Sequence, residues 1–203
     1  RAVLSPESWD QILSPMVLNS GNTHPYGFAW FFDEVAGQPV LEHSGSWQGF
    51  VNQYTRFPEQ DLSVIVLTNA RSAMSAPLAM RIGALIDPAL MPEPLPIEAI
   101  ADDPAVTTHV AGMLEKMSDG SLALTDFDFI RQTVFPRMRV ALQTQLAGLG
   151  RPDDLTLLAR EQVGDDTEFV YRATWGDRRM RVTLSIGPDG GLTNFVFIVP
   201  GTP

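Results

Sequence analysis

The 203-residue chain contains no cysteine. Disulfides, a thiol nucleophile and cysteine-based metal sites are therefore excluded, and the compartment stays open. Basic residues are scarce: 14 Lys and Arg against 24 Asp and Glu give a net charge of -10. Nucleic-acid binding relies on Lys and Arg neutralising phosphates, and anionic membrane surfaces attract the same residues, so neither partner is expected. Lys116 is the sole lysine. No apolar run approaches the roughly 20 residues that span a bilayer, so no membrane span is expected. A signal-peptide pattern is missing too, but the chain starts at Arg1 without an initiator Met, which suggests a fragment or a processed chain. The three histidines, His24, His43 and His109, are far apart and show no H-x-x-x-H or His/carboxylate spacing. No metal site and no cofactor are expected.

What is present falls into two grammars. Ser5-Pro6-Glu7 reads as a helix start, with Ser5 as N-cap, Pro6 in the first turn and Glu7 at the positive end of the dipole. Trp9, Ile12 and Leu13 give that helix an apolar stripe, and Ser14-Pro15 ends it. After a polar loop over 19–25, strands are expected over 26–35, 40–44, 49–57 and 62–68, with short turns that imply antiparallel pairing. Val64-Ile65-Val66-Leu67 is continuously apolar and predicts burial on both faces. A helix over 75–86 carries Leu78, Ile82, Leu85 and Ile86 at helical spacing. Prolines at 88, 92, 94, 96 and 104 then mark a stiff, extended boundary, so the expected organisation is a unit over 1–92, a linker over 93–103 and a second unit over 104–203.

The second half begins with Asp103-Pro104, an N-cap followed by proline. Val106, Val110, Met113, Leu114 and Met117 form a stripe, which Asp119-Gly120 stops. Thr125-Asp126 is expected to cap a longer helix bearing Ile130, Val134, Met138, Leu142 and Leu146, kinked at Pro136 and ended by Gly148 and Gly150. Strands are expected over 155–163, 168–175, 179–186 and 192–199, joined by hairpins at Gly176-Asp177 and Pro188-Asp189-Gly190-Gly191. Helices followed by an antiparallel meander make an α+β unit.

The stretch with most chemical content is Glu42-His43-Ser44-Gly45-Ser46-Trp47-Gln48-Gly49-Phe50. Small residues on a strand let a ligand approach the backbone, and a His there can donate, accept or carry a proton. Tyr26-Gly27-Phe28-Ala29-Trp30 precedes it, and Phe57-Pro58-Glu59 and Leu67-Thr68-Asn69 follow. This series resembles the C-terminal part of the serine β-lactamase-like hydrolases: class C β-lactamases, DD-peptidases and related esterases. In that family a Lys/His-Ser/Thr-Gly triplet on a strand is the third active-site motif. The resemblance implies that His43 binds a substrate carboxylate or shuttles a proton, Ser44 hydrogen-bonds substrate and Gly45 leaves room. The Ser46 N–H would be one arm of the oxyanion hole.

The same resemblance exposes a departure. The family nucleophile lies in Ser-x-x-Lys, but the residue three before Lys116 is Met113, so that motif is missing from this chain. Ser20-Gly21-Asn22 matches the letters of the second motif but lies too close to the triplet, and is read as chance. The expected function is thus a piece of a hydrolase acting by acyl transfer on β-lactam, D-Ala peptide or ester substrates, inactive alone. The resemblance implies a periplasmic or extracellular place, while composition alone leaves the cytoplasm open, and apolar surface left by the missing segment would favour a homodimer.

The order of elements after residue 104 resembles NTF2-like (cystatin-like) modules, in which helices pack on a cone-shaped curved sheet. The fold expected overall is α+β: an antiparallel sheet with flanking helices, then an NTF2-like cone. The alternative function is a small-ligand-binding or dimerisation module without catalysis. A third reading, a small NTF2-like isomerase or dehydratase, needs a buried acid or base in the cone. His109 shares a face with Val106 and Met113 and reads as a packed or half-exposed residue. Asp126 and Asp128 read as caps, and Arg178, Arg179 and Arg181 as a charged sheet edge more readily than an anion site. Phe169, Tyr171 and Trp175 alternate on one strand face, as pocket lining or core.

Overall fold

The computed structural model describes residues 3–70, 74–91, 98–128, 132–133 and 135–198. The chain is α+β with antiparallel sheets and divides into two compact units, Arg1–Leu95 and Pro96–Pro203. Among the described residues no helix is long and apolar enough to cross a membrane.

In the first unit, helix α1 (Pro6–Ile12) begins at Ser5, whose Oγ accepts from the Ser8 N–H at 3.3 Å. No residue of α1 is buried, so its apolar stripe is largely surface. The short strands β1 (Met16–Val17) and β2 (Thr23–His24) pair with each other. A five-stranded sheet follows in chain order: β3 (Tyr26–Gly27), β4 (Trp30–Val35), β5 (Gln38–Trp47), β6 (Phe50–Phe57) and β7 (Leu62–Thr68). Three of its connections are two-residue turns with positive φ at both positions: Phe28-Ala29 (45°, 70°), Ala36-Gly37 (50°, 76°) and Gln48-Gly49 (46°, 97°). That backbone matches the twist of paired strands.

Three expectations need correction here. The strand over 26–35 is a hairpin, turning at Phe28-Ala29. The triplet strand is longer than expected, reaching Trp47. Among the described residues β7 is an edge strand, and it buries one face only: Val64 is buried, whereas Ile65 and Leu67 are exposed.

Helix α2 (Ser75–Ile86) packs on β6 and β7. The face it buries is only partly the expected one. Ser75, Ala79, Gly83 and Ala84 are buried and Ile82 packs partly buried against the core, while Leu78, Leu85 and Ile86 are exposed. Small residues let the helix settle closely on the fully buried Phe57: a Cβ on Gly83 would lie 2.7 Å from Phe57 Cζ. Val35, Val40, Phe57, Val64, Ala79 and Leu90 form the core of this unit. Leu90 belongs to a 3-10 turn, Pro88–Leu90, capped by Asp87.

In the second unit, α3 (Pro104–Asp119) starts at Asp103, whose Oδ1 accepts from the Ala105 and Val106 N–H groups, and ends at left-handed Gly120. Its buried stripe includes Val110, Met113, Leu114 and Met117, as its spacing predicts. Asp126 does not cap a long helix. It closes the 3-10 turn Leu124–Asp126 by accepting from the Ala123 N–H at 2.7 Å, and it pairs with Lys116 at 2.6 Å. Helix α4 runs Phe135–Leu146, so Pro136 stands in its first turn, where proline is tolerated. Ile130, Val134 and residues 92–97 and 199 lie outside the described residues.

Strands β8 (Asp154–Val163), β9 (Asp166–Trp175), β10 (Arg178–Ile186) and β11 (Leu192–Ile198) form a meander in chain order. Its inner face, with Leu157, Phe169, Tyr171, Ala173, Met180, Val182 and Leu184, packs against Met113, Leu114 and Met117 of α3 and Leu142 and Leu146 of α4.

Candidate functional site

β5 carries the triplet, and its two sides are unequally covered. β4 pairs with Gln38 to Glu42 only, ending at Phe31↔Glu42. β6 pairs with Leu41 to Trp47. Among the described residues, His43, Ser44, Gly45, Ser46 and Trp47 thus have a strand on one side and none on the other. Successive residues of a strand direct their N–H and C=O to alternate sides. Every second residue over 43–47 therefore presents backbone donor and acceptor at the open side. The cause is the Phe28-Ala29 turn, which reverses the neighbouring chain before it can cover the triplet.

His43 is half-buried, with Nε2 3.3 Å from Tyr26 Oη and its ring centroid 5.8 Å from that of Phe31. The aromatic hairpin fixes the imidazole, and the tautomer decides which group donates. Ser44 and Ser46 are exposed. The space that Gly45 leaves by lacking Cβ is taken by Asn52, whose Oδ1 would be 2.9 Å from a Cβ there. A cleft of about 630 Å³ opens beside these residues, lined by Phe50, Val51, Asn52, Leu67, Thr68 and Asn69. Phe50, Val51 and Asn52 are the strand partners of Trp47, Ser46 and Gly45, so the cleft adjoins the triplet.

Beneath the triplet lies a polar group that the sequence reading missed. Gln53, opposite Ser44, is buried and donates from Nε2 to Glu42 Oε2 at 2.8 Å and Thr55 Oγ1 at 3.1 Å. Its Oε1 has no hydrogen-bond partner among the described residues. Burial, and secondarily the Asp33 charge, push the Glu42 carboxyl above its ordinary value, while the Gln53 bond opposes them. Gln53, Thr55 and Phe57 share the buried face of β6 while Tyr54 lies on the opposite one, and that period of two was the available signal.

The remaining candidates lie elsewhere or have structural roles. Ser20-Gly21-Asn22 forms a turn between β1 and β2, with the Asn22 N–H donating to Ser20 Oγ and Gly21 at φ 91°. His24 is half-buried on β2, and His109 is exposed rather than packed. Phe169, Tyr171 and Trp175 are core residues. Arg178 and Arg179 are exposed at the hairpin, but Arg181 is on an interior strand, since β10 is paired on both sides. The sheet-edge reading of Arg181 is therefore corrected.

As it stands the site can hold an extended or carbonyl-bearing ligand along the open side of β5, with backbone donors, two hydroxyls and an imidazole. Lys116 is engaged with Asp126 in the second unit.

No family model matches the chain. It is 31% identical over 67 residues to "Penicillin-binding protein 4*" of Bacillus subtilis (strain 168), a match covering 32% of this chain. The chain spans only 15% of the length of that relative in the match. The similarity is weak and confined to about a third of the chain.

Proposed function

We propose that residues 1–92 are part of a serine β-lactamase-like hydrolase, acting by acyl transfer on β-lactam, D-Ala peptide or ester substrates. His43, Ser44, Gly45 and Ser46 form one wall of its active site. In this reading the open side of β5 receives the substrate. The Ser46 N–H donates to the developing oxyanion, Ser44 bonds substrate, and His43 binds a carboxylate or relays a proton. The carrying observation is that β5 runs past β4 at Glu42, leaving the triplet without a strand neighbour on one side among the described residues. The exposed apolar residues Trp47, Phe50, Ile65 and Leu67 are consistent with further protein covering this sheet.

The nucleophile belongs to a Ser-x-x-Lys segment outside this sequence, and the 203 residues alone turn over no substrate. Residues 104–203 are an accessory module of NTF2-like type, a reading supported by α3 and α4 packed on one face of the β8–β11 meander. The test has two parts. A chromogenic β-lactam and a nitrophenyl ester are offered to the purified chain, and no turnover is expected. The coding sequence immediately before the Arg1 codon is then read. A Ser-x-x-Lys motif there supports the proposal, whereas a start codon at that point, or serine-dependent turnover by the chain alone, overturns it.

A further inference from the structure

The outer face of the second sheet holds an arrangement that its core does not require. Met180, Val182 and Leu184 of β10 point into the core, so Arg181 and Thr183 lie on the opposite face. The register sets Arg181 directly opposite Arg172 of β9, and Arg172 opposite Thr156 of β8. Two guanidinium cations thus face each other across adjacent interior strands, a pairing that is unfavourable without a counter-charge. Arg172 Nη2 donates to Thr156 Oγ1 at 3.3 Å. Arg181 is less well answered: its Nε and Nη1 are buried and have no hydrogen-bond partner among the described residues. Glu168 attracts Arg181 through space, yet burial outweighs it and pulls the guanidinium below its ordinary value. The Glu168 carboxylate itself accepts from Ser185 Oγ at 3.4 Å.

A guanidinium always carries its charge at neutral pH and has five N–H donors but no acceptor, so a buried one calls for an acceptor anion. We propose that this face binds an oxyanion, a carboxylate or phosphate group of a small molecule, held between Arg181 and Arg172. The unanswered N–H groups of Arg181 donate to it, and its negative charge suits the two guanidinium groups that face each other there. In a chain with net charge -10, this is a local cationic site against the overall field. It is independent of the β5 site, which lies in the other compact unit.

The test titrates the 203-residue chain with sodium phosphate and, separately, sodium acetate, with sodium chloride at matched ionic strength as control. The readout is the arginine Nε–H resonance in nitrogen-15 spectra. The expected result is a saturable shift of the Arg181 signal in the millimolar range, unseen with chloride and weakened at least about tenfold by Arg172→Gln. A response to phosphate alone assigns phosphate-bearing ligands, one to acetate alone assigns carboxylates, and a response to both assigns oxyanions in general. No saturable shift, an equal shift with chloride, or an unchanged midpoint in Arg172→Gln overturns the proposal. Arg181→Lys keeps the charge and loses the planar donor set, so it should weaken the response of a thermal-shift titration by a similar factor. If that variant does not fold, the Arg172→Gln titration decides.

Discussion

Gly45 and Asn52 share one space: the amide of Asn52 occupies the position beside Gly45 where a side chain would begin, 2.9 Å from an added Cβ. The obstructing atoms are the far end of a flexible side chain, and Gly45 is not among the residues with positive φ. Gly45→Ala should therefore fold, with a stability change within about 1 kcal/mol, because the gain from replacing a strand glycine offsets the displacement of Asn52. Calorimetry checks this. The displaced Asn52 amide should move its own resonance and narrow the cleft.

Gly83 is the contrasting case. An added Cβ would lie 2.7 and 2.8 Å from the Cζ and Cε2 atoms of Phe57, a fully buried ring. Alanine is the better helix former, yet overpacking of this kind costs about 1–3 kcal/mol. Gly83→Ala should lower the midpoint of urea unfolding, and an unchanged midpoint would contradict the close seating of α2 on the sheet.

Glu42 makes a pH prediction. Its folded-state carboxyl is raised above the ordinary 4.5, so the native state binds the proton more tightly than the unfolded chain. The stability contribution is therefore fully present below the unfolded value and is lost as pH rises through the folded one. Glu42→Gln keeps an acceptor for Gln53 and removes the charge. The variant should be more stable than the parent chain near neutral pH and equal or less stable at pH 3. Thermal melts at the two pH values decide it, and a parent advantage that grows with pH would overturn the assignment.

Ala29 sits at φ 70° in the turn that ends β4's cover of the triplet. A left-handed backbone costs a residue with a Cβ about 1–2 kcal/mol, a cost glycine escapes. Ala29→Gly should stabilise the first unit by about 0.5–1 kcal/mol, after allowing for the greater freedom of glycine in the unfolded chain. A raised melting temperature with unchanged circular dichroism is the expected outcome.

Much of the local structure was legible because it is set by neighbours in sequence. Ser5-Pro6 and Asp103-Pro104 start helices at the residues where they cap them. The stripe Val110, Met113, Leu114, Met117 faces the core, and the alternation in β10 sorts Met180, Val182 and Leu184 inward. The Phe28-Ala29 turn was invisible because neither residue is one that usually accepts positive φ. The α2 face was misread because spacing favours large apolar residues, whereas close contact with Phe57 selected Ala79 and Gly83.

By itself, then, the sequence determined most of the helices and strands, the α+β character and the presence of a small-residue strand with a histidine, since these follow from propensity, capping and periodicity along the chain. Only the tertiary structure decided which strands lie inside a sheet and which lie at its edge. That placement leaves one side of His43 to Trp47 uncovered, buries Gln53 under Ser44, and sets Arg181 against Arg172. Lateral pairing joins residues distant in sequence, and a strand's own residues do not specify the neighbour that will cover it.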